Sequence, residues 1–127
     1  MRLNAERLEE AIGGFFDELI DRFRRPDLPG GCMVTAAALE LGSNTGTAGS
    51  CVRDQMRHLE ALFRQRLERA VRKRELPGNT DTQSLASFLL TMTRGLAVLH
   101  RGYGDIRAVM RAKRTMMQLL RAPPLKG

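Results

Sequence analysis

Two histidines, His58 and His100, and two cysteines, Cys32 and Cys51, are the side chains in this 127-residue sequence best suited to acid–base, nucleophilic or metal chemistry. A catalytic dyad needs a base within hydrogen-bond reach of its nucleophile. Each histidine stands among Arg and Leu, and no nearby Ser or Cys pairs with it in the sequence. A structural zinc site needs four ligands in close array, whereas the cysteines stand far apart with no CxxC and no His cluster. The expectation is therefore no catalytic residue, no metal, no cofactor and no enzyme. The cysteines read as buried free thiols in a reducing cytosol.

Without chemistry to position, the elements must serve binding. Apolar residues make up 43% of the chain, enough for a core, and aromatics only 5%, so that core should be built from Leu, Ala, Met and a few Phe. Almost every apolar pattern has the helical period. Leu8, Ile12, Phe15, Phe16, Leu19, Ile20 and Phe23 form one stripe; Asn4 can cap its start, and Pro26 to Gly31 breaks the chain. Gly13-Gly14 inside it invites a bend or a close approach by another helix. Cys32 to Leu41 is apolar nearly all round and predicts a short interior helix ending at Gly42. Ser43 to Ser50 is a connector or a frayed helix start.

A long amphipathic helix follows over about Cys51 to Glu75, and Leu76-Pro77-Gly78 stops it. Thr80 and Gln83 read as a capping box for a fourth helix that runs to about Arg101. Gly102 to Gly104 turns the chain, and Asp105 can cap a last helix carrying Ile106, Val109, Met110, Met117 and Leu120. Five helices and no strands make the fold all-α.

The net charge of +7 raises nucleic acid or an acidic membrane as a partner. Most of the charge is Arg interleaved with Glu, the pattern of solvated helix faces; Arg72-Lys73-Arg74 is the one tight run and has no aromatics around it. No apolar run reaches the roughly 20 residues of a membrane span, and no secretory signal is visible. A cytoplasmic location and no membrane partner are expected.

The order of the pieces carries a resemblance. Gly31-Cys32-Met33-Val34 opening a short helix that ends Ala38-Leu39-Glu40-Leu41, the Arg/Glu helix ending Arg74-Glu75-Leu76-Pro77, and the Asp81–Leu99 helix with Gly95-Leu96-Ala97-Val98-Leu99 are together similar to the C-terminal domain of TetR-type transcriptional regulators. Ser43 to Ser50 departs from the family, which often starts this helix with Asp-Pro. The resemblance implies a ligand-binding and dimerisation domain over residues 1–122 with a tail at 123–127. It further implies a homodimer whose last two helices form an intersubunit four-helix bundle, and a small, largely apolar effector, most often for a repressor. DNA would be contacted only through a helix-turn-helix module that has no counterpart before Met1.

Two residue sets follow. Phe16, Leu19, Met33, Ala37, Leu59, Phe63, Phe88 and Met92 point inward from the first four helices and either fill the core or line the pocket that the resemblance implies. Ala86, Leu90, Thr93 and Ala97, with Ile106, Val109, Met110, Met117 and Leu120, offer more apolar surface than two terminal helices can hide alone, and are assigned to the dimer interface. Two other functions stay open: a stand-alone helical adapter that heterodimerises with a full-length regulator, and a basic nucleic-acid-binding protein.

Overall fold

A computed structural model describes residues 3, 5–25 and 47–121; for 47–50 it describes the backbone alone. Four helices account for most of them: α1 (Leu8–Phe23), α2 (Thr47–Arg72), α3 (Thr82–Tyr103) and α4 (Arg107–Arg121). There is no strand among the described residues, so the fold is all-α. The interior helix expected over Cys32 to Leu41 lies outside the described residues, and so does Asn4.

The helices form where their stripes predict. α1 buries Leu8, Ala11, Ile12, Phe15, Phe16 and Ile20, and α2 buries Phe63, Leu67 and Ala70. α3 contributes Leu85, Leu89 and Leu96, and α4 contributes Val109, Met116 and Leu120 to the same core. Fully burying each large side chain is worth about 1.5–3 kcal/mol. α3 packs most extensively against α2, and α1 touches all three other helices. α1 and α4 run antiparallel, fastened by Asp17 to Lys113 and Glu9 to Arg121. Gly13 lies at this seam, where a Cβ would sit in ordinary contact, 3.6 Å from the Met117 methyl.

Local signals at the helix ends needed three corrections. α2 begins at Thr47, not Cys51, so Thr47 to Ser50 is its first turn. The N-cap of α3 is Asp81, whose carboxylate accepts from the Ser84 amide at 3.0 Å. Thr80 instead donates its hydroxyl to the Pro77 carbonyl at 2.7 Å, so no capping box forms with Gln83. The N-cap of α1 is Arg7, which supplies no side-chain cap; the Leu8 amide donates to Glu75 Oε2 at 2.6 Å, from the far end of α2.

Two of these ends can be tested. The Ser84 amide and hydroxyl hold the Asp81 carboxyl below its usual range. A depressed carboxylate adds stability above its unfolded pKa near 4 and loses it as pH falls through the folded value. Asp81→Ala should therefore lower the thermal midpoint at pH 7, and the gap to the parent protein should close below about pH 4. A gap that stays constant with pH would mean that the cap is not ionic.

α2 ends in a Schellman turn. The Arg74 amide bonds the Val71 carbonyl at 3.0 Å and the Glu75 amide bonds the Ala70 carbonyl at 2.8 Å. This places Arg74 at φ 64°, the left-handed region. The Cβ of Arg is strained there, by about 1–2 kcal/mol. Arg74→Gly should stabilise the protein by about 0.5–1 kcal/mol, read as a higher urea midpoint at unchanged slope.

Candidate effector site and dimer face

The centre of the core is aromatic. Phe15 meets Phe16 and Phe63 edge-on, with ring centroids 5.3 and 5.0 Å apart, and Phe16 stacks on Phe63 at 6.2 Å and 13°. Phe16 and Phe63 have no exposed surface. Leu19, Phe23, Leu59, Phe88, Met92 and Leu99 pack against the core while remaining partly exposed. Phe23 also stacks on His100 at 5.3 Å, joining the last turns of α1 and α3.

Of the eight residues proposed from sequence to line a pocket, two are therefore in the sealed cluster and four, Leu19, Leu59, Phe88 and Met92, pack against the core while partly exposed. Met33 and Ala37 lie outside the described residues. The hydroxyls nearby are spent locally: Thr91 donates to the Ser87 carbonyl and Thr93 to the Leu90 carbonyl, as helical threonines commonly do. An open hollow of about 480 Å³ lies elsewhere, lined by Glu6, Arg7, Glu9, Lys73, Glu75 and Arg121 with Leu8 and Leu120. None of the six described residues expected in the pocket borders it, and its charged walls suit no apolar effector.

The outer surface of α3 and α4 differs from the one read in the sequence. Ala86, Thr93, Ala97, Val109 and Leu120 are buried by the chain's own helices. The single chain hides these five because α3 lies against α1, α2 and α4, and α4 lies against α1 and α3. Leu90, Ile106 and Met117 are half-buried. The large apolar side chains left exposed are Val98, Tyr103, Met110 and Leu119, all on the last two helices. On α3, Thr91, Gly95, Val98 and Gly102 share one exposed face at spacings of four, three and four. A Cβ at Gly95 or Gly102 would meet nothing within 4 Å.

Two arginines escaped sequence reading. Arg66 is 4% exposed, although it stands in register with Leu59, Phe63, Leu67 and Ala70 on α2. A cation inside an apolar stripe was the available signal. Burial, then the neighbouring Arg69 charge, lowers its guanidinium pKa. Arg94 on α3 is half-buried, with Nε lacking a hydrogen-bond partner among the described residues, and burial lowers its pKa too.

His58 and Cys51 are exposed on α2, so Cys51 is not the buried thiol expected. Cys32 lies outside the described residues. Among the described residues no three His, Cys, Asp or Glu side chains gather as metal ligands, and no helix is long and apolar enough to cross a membrane.

The family model for the tetracyclin repressor-like C-terminal domain matches residues 8–116. The chain belongs to that family. The match runs from the first residue of α1 into α4, so it covers the helices that hold the aromatic cluster and most of the exposed apolar residues. Domains of this TetR family serve ligand binding and dimerisation in regulators, and they are generally non-enzymatic. Neither the curated proteins nor the solved structures contain a match to the chain.

Proposed function

We propose that this TetR-family domain senses a small, largely apolar effector and forms a homodimer, most simply as the regulatory half of a cytoplasmic repressor that is not itself an enzyme. The observation that carries this reading is the family match over residues 8–116. Two features of the fold support it. Leu19, Leu59, Phe88 and Met92 offer partly exposed apolar surface on the core that contains the stacked Phe16 and Phe63, and apolar lining of this kind is usual in a small-molecule site; Met33 and Ala37 complete the proposed lining.

Val98 on α3 and Met110 and Leu119 on α4 leave apolar side chains exposed on the last two helices. Gly95 and Gly102 let a second helix approach closely. A four-helix bundle of α3 and α4 from two subunits covers apolar surface there, with Leu90, Ile106 and Met117 at its margin. In this reading, DNA is contacted through a helix-turn-helix module outside the chain described. The domain limits of 1–122, with a tail at 123–127, belong to the same proposal.

Native mass spectrometry of freshly purified protein tests both halves. A dimer carrying extra small-molecule mass supports the sensor. A strict monomer at micromolar concentration overturns the bundle. A ligand-free dimer that exchanges subunits with a complete regulator favours the adapter reading over the sensor.

A further inference from the structure

The start of α1 is held by residues 60 to 67 positions away along the chain. Arg66 Nη2 donates to the Ala5 carbonyl at 3.0 Å and to the Glu6 carbonyl at 3.2 Å. Glu75 caps the Leu8 amide at 2.6 Å and lies 3.9 Å from Arg66 and 3.8 Å from Lys73. Lys73 Nζ adds the Glu6 carbonyl at 2.8 Å and the Glu6 carboxylate at 3.2 Å.

We propose that Arg66 and Glu75 form a latch that fastens residues 5–8 to the end of α2 and opens as a unit while the core stays folded. α1 has no cap of its own, so its first amide depends on a carboxylate from another element. The closed latch is also poised rather than deeply stable. Arg66 keeps Nε and Nη1 buried without a hydrogen-bond partner among the described residues, and a buried guanidinium with orphan donors retains much of its desolvation penalty. Arg74 must adopt its left-handed conformation for the turn that presents Glu75. Glu6 is 84% exposed, so its pairs with Lys73 and Arg69 are weakened by salt. The residues held by the latch end at Leu8, where the family match begins. The latch thus sets the direction in which the chain enters the domain, whether or not the domain binds an effector.

Site-resolved amide exchange decides the matter. First-turn helix amides normally exchange freely, so Leu8 should be protected only through Glu75. We expect Leu8 to exchange at least about 100-fold more slowly than in a free peptide, Glu75→Ala to abolish that protection, and Arg66→Met to reduce it at least about tenfold, with Leu89 and Leu96 changed less than about twofold. An unprotected Leu8 in the parent protein, unchanged protection in the variants, or equal acceleration of Leu8 and Leu89 would overturn the latch. Should neither variant fold, urea titration of the parent protein still discriminates. Leu8 must then exchange through an opening insensitive to urea and Leu89 through one that urea promotes; a shared urea dependence refutes the proposal.

Discussion

Replacing Phe63 by alanine should cost about 4 kcal/mol of unfolding free energy and lower the thermal midpoint by roughly 15 °C. The size follows from geometry. Phe63 has no exposed surface and contacts two further rings, edge-on to Phe15 and stacked on Phe16. Its removal loses the transfer free energy of the ring, leaves a cavity between α1 and α2, and forfeits two aromatic contacts worth about 0.5–1.5 kcal/mol each. A domain stable by only about 5–15 kcal/mol would sit near its unfolding threshold.

Phe63→Leu, which keeps most of the volume, should cost about 1–1.5 kcal/mol. Urea unfolding with both variants measures this, and a loss below about 1 kcal/mol for the alanine variant would remove Phe63 from the load of the core. The same variant separates the two roles left open for this residue. If Phe63 floors an effector site, the enlarged cavity should be partly refilled by apolar ligand, and added ligand should restore part of the midpoint. If it only fills the core, the midpoint will not respond.

What the sequence revealed depended on how local each signal is. The stripes of α1, α3 and α4 were legible because burial repeats every three or four residues along a single element; Ile12, Phe16, Leu89, Leu96 and Val109 all lie where their spacing predicts. The family resemblance was legible for the same reason, since it is a sequence of such stripes and breaks. Three features were not. Thr80 precedes Gln83 at the spacing of a capping box, but the adjacent Asp81 is the stronger acceptor and wins the Ser84 amide.

The cap of α1 could not be read from neighbouring residues because its acceptor, Glu75, comes from 67 positions along the chain. The division of α3's apolar residues between chain and partner was also hidden. Ala86, Thr93 and Ala97 form an unbroken second stripe, and spacing alone does not say whether the element across from it belongs to the same subunit. The fold places three helices around α3, buries Ala86, Thr93 and Ala97 within the chain and leaves Val98 exposed.

That distinction gives the second large effect. Val98→Asp should raise the dimer dissociation constant at least about 100-fold, a loss of about 2.7 kcal/mol, while leaving the helix content of each subunit unchanged. Val98 is 47% exposed in the single chain, so a carboxylate there is hydrated before association and disturbs no core contact. In a bundle it lies between Gly95 and Gly102, one turn away on either side, where nothing stands off the opposing helix. Two symmetry-related carboxylates would then be desolvated close to one another near the axis, a cost that Arg94 and Arg101, one turn away on α3, offset only in part.

Sedimentation velocity over a micromolar dilution series measures the shift. Ala97→Asp provides the contrast: Ala97 is 1% exposed, so a charge there should unfold the subunit rather than separate two folded ones. Should Val98→Asp remain as tight a dimer as the parent protein, the subunits must meet elsewhere, and Met110 and Leu119, on opposite sides of α4, would be the next positions to charge one at a time. Should Ala97→Asp instead yield a folded monomer, Ala97 would belong to the interface after all, and the subunit described here would have closed over a surface that its partner normally covers.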